Sequence, residues 1–294
     1  MDFKEFCQTV VKDIRSYLPE SFAGAKVELY PLVKNNGLRS MCLAIYREGD
    51  LECPVVELEP FFEAYRNGAA MHELLHHISR ISLQAEDDAT PGLEQIDFED
   101  LQDRIIPRLV NKAWNSASLS KVPFTEMADL AVTYHYLLEV GRGRCVSTEV
   151  GYGLLEKLNL TMDELHKTAI RNMTRLFPST FMGMTQMANM LSGGIMPAMS
   201  PEEERYFILS NQQHKYGATA VLDKDIMKEV IKKVGKDFLI VPSTLHEMFI
   251  VPRREEKAYF ETLLRRSNAA DTMPQDRLSD RIYRYTPEDG LIIV

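Results

Sequence analysis

Short apolar, strand-like segments stand in groups along this sequence, with only a few polar residues between neighbours. DFLIVP and MFIVP flank residues 243–247, and KVELYPL and LRSMCLAIY are joined through Asn35-Asn36-Gly37. Asn-Gly between two alternating segments is typical of a hairpin turn. Strands grouped in this way as meanders predict sheets that are mostly antiparallel.

Helical segments lie between these groups. The apolar spacing predicts helices over residues 3–18, 59–83, 223–234 and 255–266. Asn67-Gly68 interrupts the second of them, and a capping box of Thr161 and Glu164 predicts a further helix that runs to about Phe177. Other strands are predicted at CPVVEL, DLAVTYHYLL, YFILSN, GATAVL and RIYRY. The predicted fold is therefore α+β, with mostly antiparallel sheets in meanders and packed helices, rather than a doubly wound parallel sheet.

Composition along the chain predicts two closely associated parts. Residues 1–84 contain the N-terminal helix, the hairpin and a helical segment, and residues 97–294 form a larger α+β domain. The segment between them, AEDDATPGLEQI at residues 85–96, is acidic and contains Pro and Gly, which is typical of a linker. A Met- and Gly-rich stretch at residues 182–201 is predicted to be a mobile loop within the larger domain.

The charge balance limits the classes of partner. The chain has 34 basic and 43 acidic residues and a net charge of −9, which argues against nucleic acid, because phosphate contacts need concentrated Lys and Arg. A run of about 18 apolar residues is absent, so no membrane partner is expected. The N-terminus lacks the pattern of a signal peptide, which predicts a cytoplasmic location. The four cysteines form no CxxC pair and are predicted to be reduced, small hydrophobic residues.

One motif indicates catalytic chemistry. His72-Glu73-Leu74-Leu75-His76 is an HExxH on a predicted helix. Residues four apart share a helical face, so both imidazoles can bind one zinc ion while Glu73 polarises a bound water as the general base. The motif therefore supports a zinc-dependent, peptidase-like hydrolase as one hypothesis.

The context of this motif favours an ordinary surface helix instead. The apolar residues of the helix form one stripe, and His76 lies in the opposite polar arc. The extended metzincin pattern would need Gly at Ser79 and His at Ser82. Glu94 or Glu99 could supply a third ligand, but nothing in the sequence selects either of them. Zinc is therefore kept as the alternative to an expectation of no cofactor.

A second constellation lies between two strand-like segments. Ser243, Thr244, His246 and Glu247 crowd the connection between DFLIVP and MFIVP, where polar side chains can converge on a ligand. SNQQHKYGA could adjoin this connection in a meander and would add Asn211 and Tyr216. A Ser-His pair can serve as nucleophile and base, but no GxSxG elbow accompanies it. The structural alternative is a hydrogen-bonded turn in which these groups satisfy the backbone.

Two further features have more than one interpretation. His135, on a predicted alternating strand, is expected to be a satisfied core or flanking residue rather than a ligand. Methionines 182, 184, 187, 190, 196 and 199 indicate either an adaptable surface for a partner or a loosely packed core.

Six segments, in chain order, resemble an uncharacterised domain-of-unknown-function family of gut Clostridia. They are LVNKAWN, FTEMADLAVTYHYLL, MDELHKTAIRNMTRL, YFILSNQQHKYGATAVL, FLIVPSTLHEMFIVP and LSDRIYRY. The resemblance covers nearly the full length and is most specific over residues 205–285. PSTLHE resembles the family's Pro-Ser-Ser-Ile-His-Glu signature, with Thr244 where Ser is usual. The helix that matches residues 70–81 usually carries Glu in the family where this sequence has His. The family has no assigned activity, so the resemblance implies no catalytic residue.

The function predicted from these features is non-catalytic recognition of a protein or a small ligand through the C-terminal sheet region. The expected binding residues are Ser243, Thr244, His246, Glu247, Asn211 and Tyr216. The alternative is a zinc-dependent hydrolase in which His72 and His76 bind the metal and Glu73 is catalytic.

Overall fold

The structure is a computed structural model that describes residues 1–48, 55–84, 101–141 and 144–294. Contacts between Cα atoms divide the chain into two units, Met1–Ile96 and Asp97–Val294, and each is described by itself. Within the described ranges, no helix is both long enough and apolar enough to cross a membrane.

The first unit combines three helices with a small antiparallel sheet. Its elements are α1 (Phe3–Asp13), β1 (Lys26–Val33), β2 (Arg39–Tyr46), β3 (Val55–Glu57), α2 (Glu59–Arg66) and α3 (Met71–Gln84), with the strands in the order β1-β2-β3. Asn36 and Gly37 adopt positive φ angles of 62° and 68° between β1 and β2. The predicted hairpin is therefore confirmed, and so is the interruption between α2 and α3, where Gly68 has φ 98°.

The apolar faces of these elements form one core in the first unit. Its fully buried members come from α1 and the turn after it, from β2, from the start of α2 and from α3: Phe6, Val10, Ile14, Leu43, Leu58 and Ile78. The helical spacing of the apolar residues explains this arrangement, because residues three or four apart lie on one face of a helix.

The second unit contains two antiparallel sheets and six helices among its described residues. Its strands are β4 (Ile105–Asn111), β5 (Phe124–Met127), β6 (Leu130–Gly141), β7 (Arg144–Glu149), β8 (Ser179–Gly183), β9 (Phe207–Asn211), β10 (Phe238–Val241), β11 (Met248–Pro252), β12 (Tyr283–Thr286) and β13 (Gly290–Ile293). Its helices are α4 (Ser116–Leu119), α5 (Tyr152–Leu158), α6 (Met162–Leu176), α7 (Met184–Leu191), α8 (Lys224–Val234) and α9 (Lys257–Ala270).

Strand β6 is the centre of the four-stranded sheet, where β4 pairs with one of its edges and β5 and β7 pair with the other. The six-stranded sheet has the order β13-β12-β10-β11-β9-β8. All strand pairs in the described part of the chain are antiparallel, which confirms the predicted α+β class.

Buried polar side chains connect distant parts of the second unit. Asp129, in the turn between β5 and β6, accepts hydrogen bonds from the Tyr283 hydroxyl at 2.6 Å and from the Ser279 hydroxyl at 2.8 Å. Burial and the Asp129 carboxylate raise the pKa of the Tyr283 phenol, which therefore stays a neutral donor. Asn111 at the end of β4 donates to the Leu278 carbonyl at 3.3 Å. These bonds join the four-stranded sheet to the segment that leads into β12.

Two predictions about secondary structure are wrong. The segment GATAVL forms 3-10 turns over Gly217–Leu222 rather than a strand. A Cβ atom at Gly217 would lie 2.3 Å from Ser210 Oγ and 2.5 Å from the His246 carbonyl oxygen. The segment therefore packs closely against β9 and the connection after β10, and does not pair as a strand.

The predicted loop over residues 182–201 contains the end of β8 and the whole of α7. Met187 is buried on the inner face of α7, and the Thr185 backbone N–H donates to the Glu204 carboxylate at 3.1 Å. The spacing of three residues between Met184, Met187 and Met190 is typical of a helix. The prediction of a loop rested instead on the high Met and Gly content of the whole stretch.

Substituting Gly217 tests the close approach at this position. Gly217→Ala should lower the free energy of unfolding of the second unit by about 1–3 kcal/mol, because the added methyl group forces backbone apart. Gly153→Ala is the control, since nothing lies within 4 Å of a Cβ at that position in α5, and it should be neutral or stabilising by up to about 1 kcal/mol. Urea unfolding followed by Trp114 fluorescence measures both, and equal stability of the two variants would contradict the packing.

The buried His135 on β6 predicts a pH dependence. Burial, with the nearby Arg108 charge, holds the pKa of His135 well below its usual value of 6.5. Below pH 6.5, His135 is protonated in the unfolded chain but stays neutral in the native state. The free energy of unfolding therefore decreases as the pH falls from 6.5 towards the native pKa of His135. From pH 7.5 to pH 5.5 the wild type should lose about 1.4 kcal/mol more than His135→Gln. Parallel losses in urea titrations at the two pH values would show that His135 is not the responsible group.

Candidate functional site

Two connections of the six-stranded sheet meet at one of its ends. The first follows β9 and leads into the turns at Gly217–Leu222, and the second joins β10 to β11. Ser210 Oγ donates to the His246 carbonyl at 2.7 Å, and the Ala218 N–H donates to the Leu245 carbonyl at 3.2 Å. The absence of a side chain at Gly217 allows this approach.

His246 is held at the centre of this contact. Its Nδ1 atom accepts a hydrogen bond from the Tyr216 backbone N–H at 3.0 Å, and its own backbone N–H donates to Thr244 Oγ1 at 2.9 Å. Because Nδ1 is an acceptor, the proton of the neutral imidazole is on Nε2. The His246 and Tyr216 rings lie 5.6 Å apart at 47°. The side chain therefore has a defined orientation and a defined tautomer.

The Asn211 side chain holds the first connection in place through two hydrogen bonds to the Lys215 backbone. This residue is 3% exposed; its Nδ2 atom donates to the Lys215 carbonyl at 2.8 Å, and its Oδ1 atom accepts from the Lys215 N–H at 3.2 Å. Lys215 precedes Tyr216, so Asn211 and His246 stabilise successive residues of the same connection. The structure thus brings Asn211, Tyr216 and His246 together, with the Asn211 amide turned to the backbone rather than to solvent.

Asp276 belongs to the site, although no pattern in the sequence indicated it. Its Oδ1 atom lies 3.7 Å from His246 Nε2, and the side chains of both residues are 33% exposed. Its backbone carbonyl accepts from the Leu245 N–H at 2.8 Å, which places the 3-10 turn at Pro274–Asp276 against the connection. A distance of 3.7 Å is too long for a hydrogen bond. Both groups can therefore still bind a third one.

Glu247 and Ser243 complete the polar groups predicted at this end of the sheet. Burial raises the pKa of the Glu247 carboxyl, and the nearby His214 and His246 partly oppose that shift. Its backbone carbonyl accepts from the Thr244 N–H at 3.2 Å. Ser243 makes no hydrogen bond to His246 among the described residues, and His246 Nδ1 is engaged by Tyr216. A Ser-His nucleophile pair at this connection therefore has no support from the hydrogen bonds of the described residues and stays an untested hypothesis.

Arg108 is a second member that the sequence did not indicate. Its guanidinium carbon lies 3.6 Å from the centre of the Tyr216 ring, and its Nη2 atom donates to Ser147 Oγ at 2.5 Å. Stacking of a guanidinium on an aromatic face is favourable and restricts both side chains. Arg108 lies on β4 of the other sheet, so only the tertiary fold brings it to Tyr216.

The HExxH motif lies on α3 in the first unit. His72, Glu73 and His76 are all exposed, whereas Leu74, Leu75 and Ile78 of the same helix are buried. Over the ranges that the structure describes, no group of three His, Cys, Asp or Glu side chains is placed to hold a metal ion. The candidate third ligands Glu94 and Glu99 lie outside the described residues. Among the described residues, the motif therefore supplies only two imidazoles, His72 and His76, and both face solvent.

We expect zinc in purified protein to be well below one ion per chain, because two exposed imidazoles supply only part of a four-ligand site. Elemental analysis by mass spectrometry, together with melting curves with and without EDTA, measures this. One zinc per chain that is lost in His76→Ala but kept in the control His77→Ala would reverse the expectation. Glu73→Gln should then keep the metal and lose hydrolytic activity.

The comparisons with known proteins give a family but no activity. The sequence matches no curated protein and no solved structure. The profile of DUF5688, a family of unknown function, matches residues 3–287. This match confirms the predicted resemblance to an uncharacterised family over nearly the full length, while an origin in gut Clostridia stays a prediction. The chain therefore belongs to DUF5688, a family whose function is unknown.

Proposed function

We propose that this protein is a non-catalytic recognition module that binds a small molecule or a peptide segment at the end of its six-stranded sheet. The observation that carries the proposal is the 3.7 Å separation between His246 Nε2 and Asp276 Oδ1. One is a fixed donor and the other an acceptor, and at 3.7 Å the two do not form a hydrogen bond with each other. We call the surface formed by Tyr216, Ser243, His246, Glu247 and Asp276 the recognition surface.

The geometry supports a particular class of ligand group. His246 offers an N–H on Nε2, and Asp276 offers a carboxylate oxygen beside it. A hydroxyl group or a primary amide can accept from the first and donate to the second at the same time. A carboxylate ligand could not, because it would face the Asp276 charge. The proposed ligand therefore carries a hydroxyl or an amide group.

The recognition surface is held in one conformation before any ligand binds. His246 is oriented through its ring nitrogen and its backbone N–H, and the Tyr216 ring contacts both the Arg108 guanidinium and the His246 ring. Such preorganisation lowers the conformational entropy that binding would otherwise cost. The preorganisation therefore supports the proposal that this surface binds one specific chemical group.

The same contacts support binding over catalysis. A general base needs a free lone pair on the imidazole, but Nδ1 already accepts from the Tyr216 backbone and Nε2 carries the proton. Ser243, which a Ser-His pair would need as its nucleophile, makes no hydrogen bond to His246 among the described residues. The cytoplasmic location and the absence of nucleic acid and membrane partners stay predictions.

Asp276→Ala should abolish ligand binding without loss of stability, because the carboxylate makes no hydrogen bond among the described residues. Asp271→Ala is the control, since it removes the same charge from an exposed position after α9. Saturation-transfer NMR against a library of hydroxyl- and amide-bearing small molecules and short peptides is the measurement. We expect ligands that bind the wild type and Asp271→Ala but not Asp276→Ala.

A His246→Ala variant should instead lose about 1–3 kcal/mol of stability, since it leaves the partly buried Tyr216 N–H without its acceptor. Ligands that bind Asp276→Ala as well as the wild type would place recognition elsewhere on the molecule. A library without any ligand for the wild type would also count against the proposal, and the two types of compound distinguish a small-molecule site from a peptide site.

A further inference from the structure

A cavity of about 770 Å³ opens in the second unit at the other end of β9. Phe181 on β8 and Phe207 on β9 line it and stack with ring centres 4.9 Å apart and an angle of 29°. Met182 and Met199 add apolar surface, and the last turn of α8 contributes Lys232 and Lys233. The volume falls in the range of about 300–1,000 Å³ that is usual for small-molecule sites.

Hydrogen bonds fix the wall of this cavity. The Glu204 carboxylate accepts from the backbone N–H of Thr185 at 3.1 Å and also from its hydroxyl group. The Met199 N–H donates to Thr185 Oγ1 at 2.9 Å, and Lys233 Nζ donates to the Pro201 carbonyl. A Cβ at Gly183 would lie 2.5 Å from Glu204 Oε2, so this glycine makes room for the carboxylate. The segment between α7 and β9 is therefore hydrogen-bonded to α7 through Thr185 and to α8 through Lys233.

Apolar side chains extend outward along the same segment. Five of them are more than half exposed: Met190, Leu191, Ile195, Met196 and Met199. Met190 follows Gln186, a lining residue, by four positions on α7 and so lies on the same face of that helix. These exposed apolar side chains are close together in the sequence, and Met199 also lines the cavity. Methionine adapts to varied apolar shapes, which suits an apolar ligand.

Positive charge lies beside the apolar surface. An adjoining cavity of about 590 Å³ shares Phe207, Glu204 and Lys233 with the first and is also lined by Arg205, Arg253 and Arg254. Acidic side chains line the two cavities as well: Glu202, Glu203, Glu204 and Glu229. Of these, Glu203 and Glu204 accept hydrogen bonds from their own wall. Lys232 and Lys233 therefore line the larger cavity, and Arg205, Arg253 and Arg254 line the adjoining one. Two of these groups already have partners, because Arg253 Nε lies 3.9 Å from Asp237 and Lys233 donates to Pro201. Lys232, Arg205 and Arg254 are the basic groups best placed to meet an anionic head.

We propose that this cavity binds an anionic amphiphile, with its apolar chain against Phe181, Phe207 and Met199 and its head group at the basic side chains. A carboxylate head and a phosphate head share this chemistry, since both accept charge-assisted hydrogen bonds from Lys and Arg. The site is separate from the recognition surface and does not depend on it.

Dodecanoate and dodecyl phosphate, each below its critical micelle concentration, are the probes for isothermal titration of the full chain. We expect one saturable site for at least one of them, and the two probes distinguish a carboxylate from a phosphate ligand. Dodecyltrimethylammonium, with the same chain and a positive head, should bind at least about tenfold more weakly.

Two variants test the two halves of the site, each with a matched control. Met199→Asp and Lys232→Glu should each weaken dodecanoate or dodecyl phosphate binding about tenfold or more. Met273→Asp and Lys224→Glu make the same changes at exposed positions that line neither cavity, and they should bind as the wild type does. Melting curves confirm that all four variants fold.

Three results would overturn the proposal. They are the absence of saturable binding of both anionic probes, equal binding of the cationic amphiphile, and wild-type affinity in Met199→Asp and Lys232→Glu. The second result would mean that the apolar surface binds any hydrophobic chain, as a docking surface for another protein would.

Discussion

A methyl group at position 217 would fill the space in which β9 meets the connection between β10 and β11. The hydrogen bonds of Ser210 and Ala218 to the backbone of that connection depend on this close approach, and so does the contact between the Tyr216 and His246 rings. Close packing of backbone against backbone leaves no room for adjustment, because interiors are packed as densely as crystals. One glycine therefore determines how the polar groups at this end of the sheet face each other.

Polar contacts between the two sheets of the second unit hold them in the arrangement that this close approach requires. Asp129 joins the β5–β6 turn to Ser279 and Tyr283, and Arg108 reaches from β4 to the Tyr216 ring. The Asp129 carboxylate is partly buried, and two hydroxyl groups donate to it, which offsets the cost of removing it from water. These contacts specify one arrangement of the sheets more strictly than apolar packing alone would.

The recognition surface and the cavity proposed to bind an amphiphile lie at opposite ends of one buried strand. Phe207 begins β9 and lines the cavity, whereas Asn211 ends it and supports the connection that carries Tyr216. Five residues of extended chain separate the two ends by about 13 Å. All five are buried, so the strand is a rigid support for two surfaces of different chemistry, one polar with fixed donors and acceptors and one apolar with basic groups beside it.

The sequence by itself determined the class of fold, the hairpin at Asn36-Gly37, the capped helix after Thr161 and the strand β6, because these depend on local turn chemistry and on apolar periodicity. It also indicated that the connection around His246 carries the polar groups. It did not determine that residues 217–222 form turns, that α7 is helical, or that Asp276 and Arg108 belong to the site. Asp276 is 30 positions from His246 and Arg108 is 108 positions from Tyr216, and no local pattern encodes such pairs. Only the packing of distant backbone segments, which the missing side chain at Gly217 permits, brings them together.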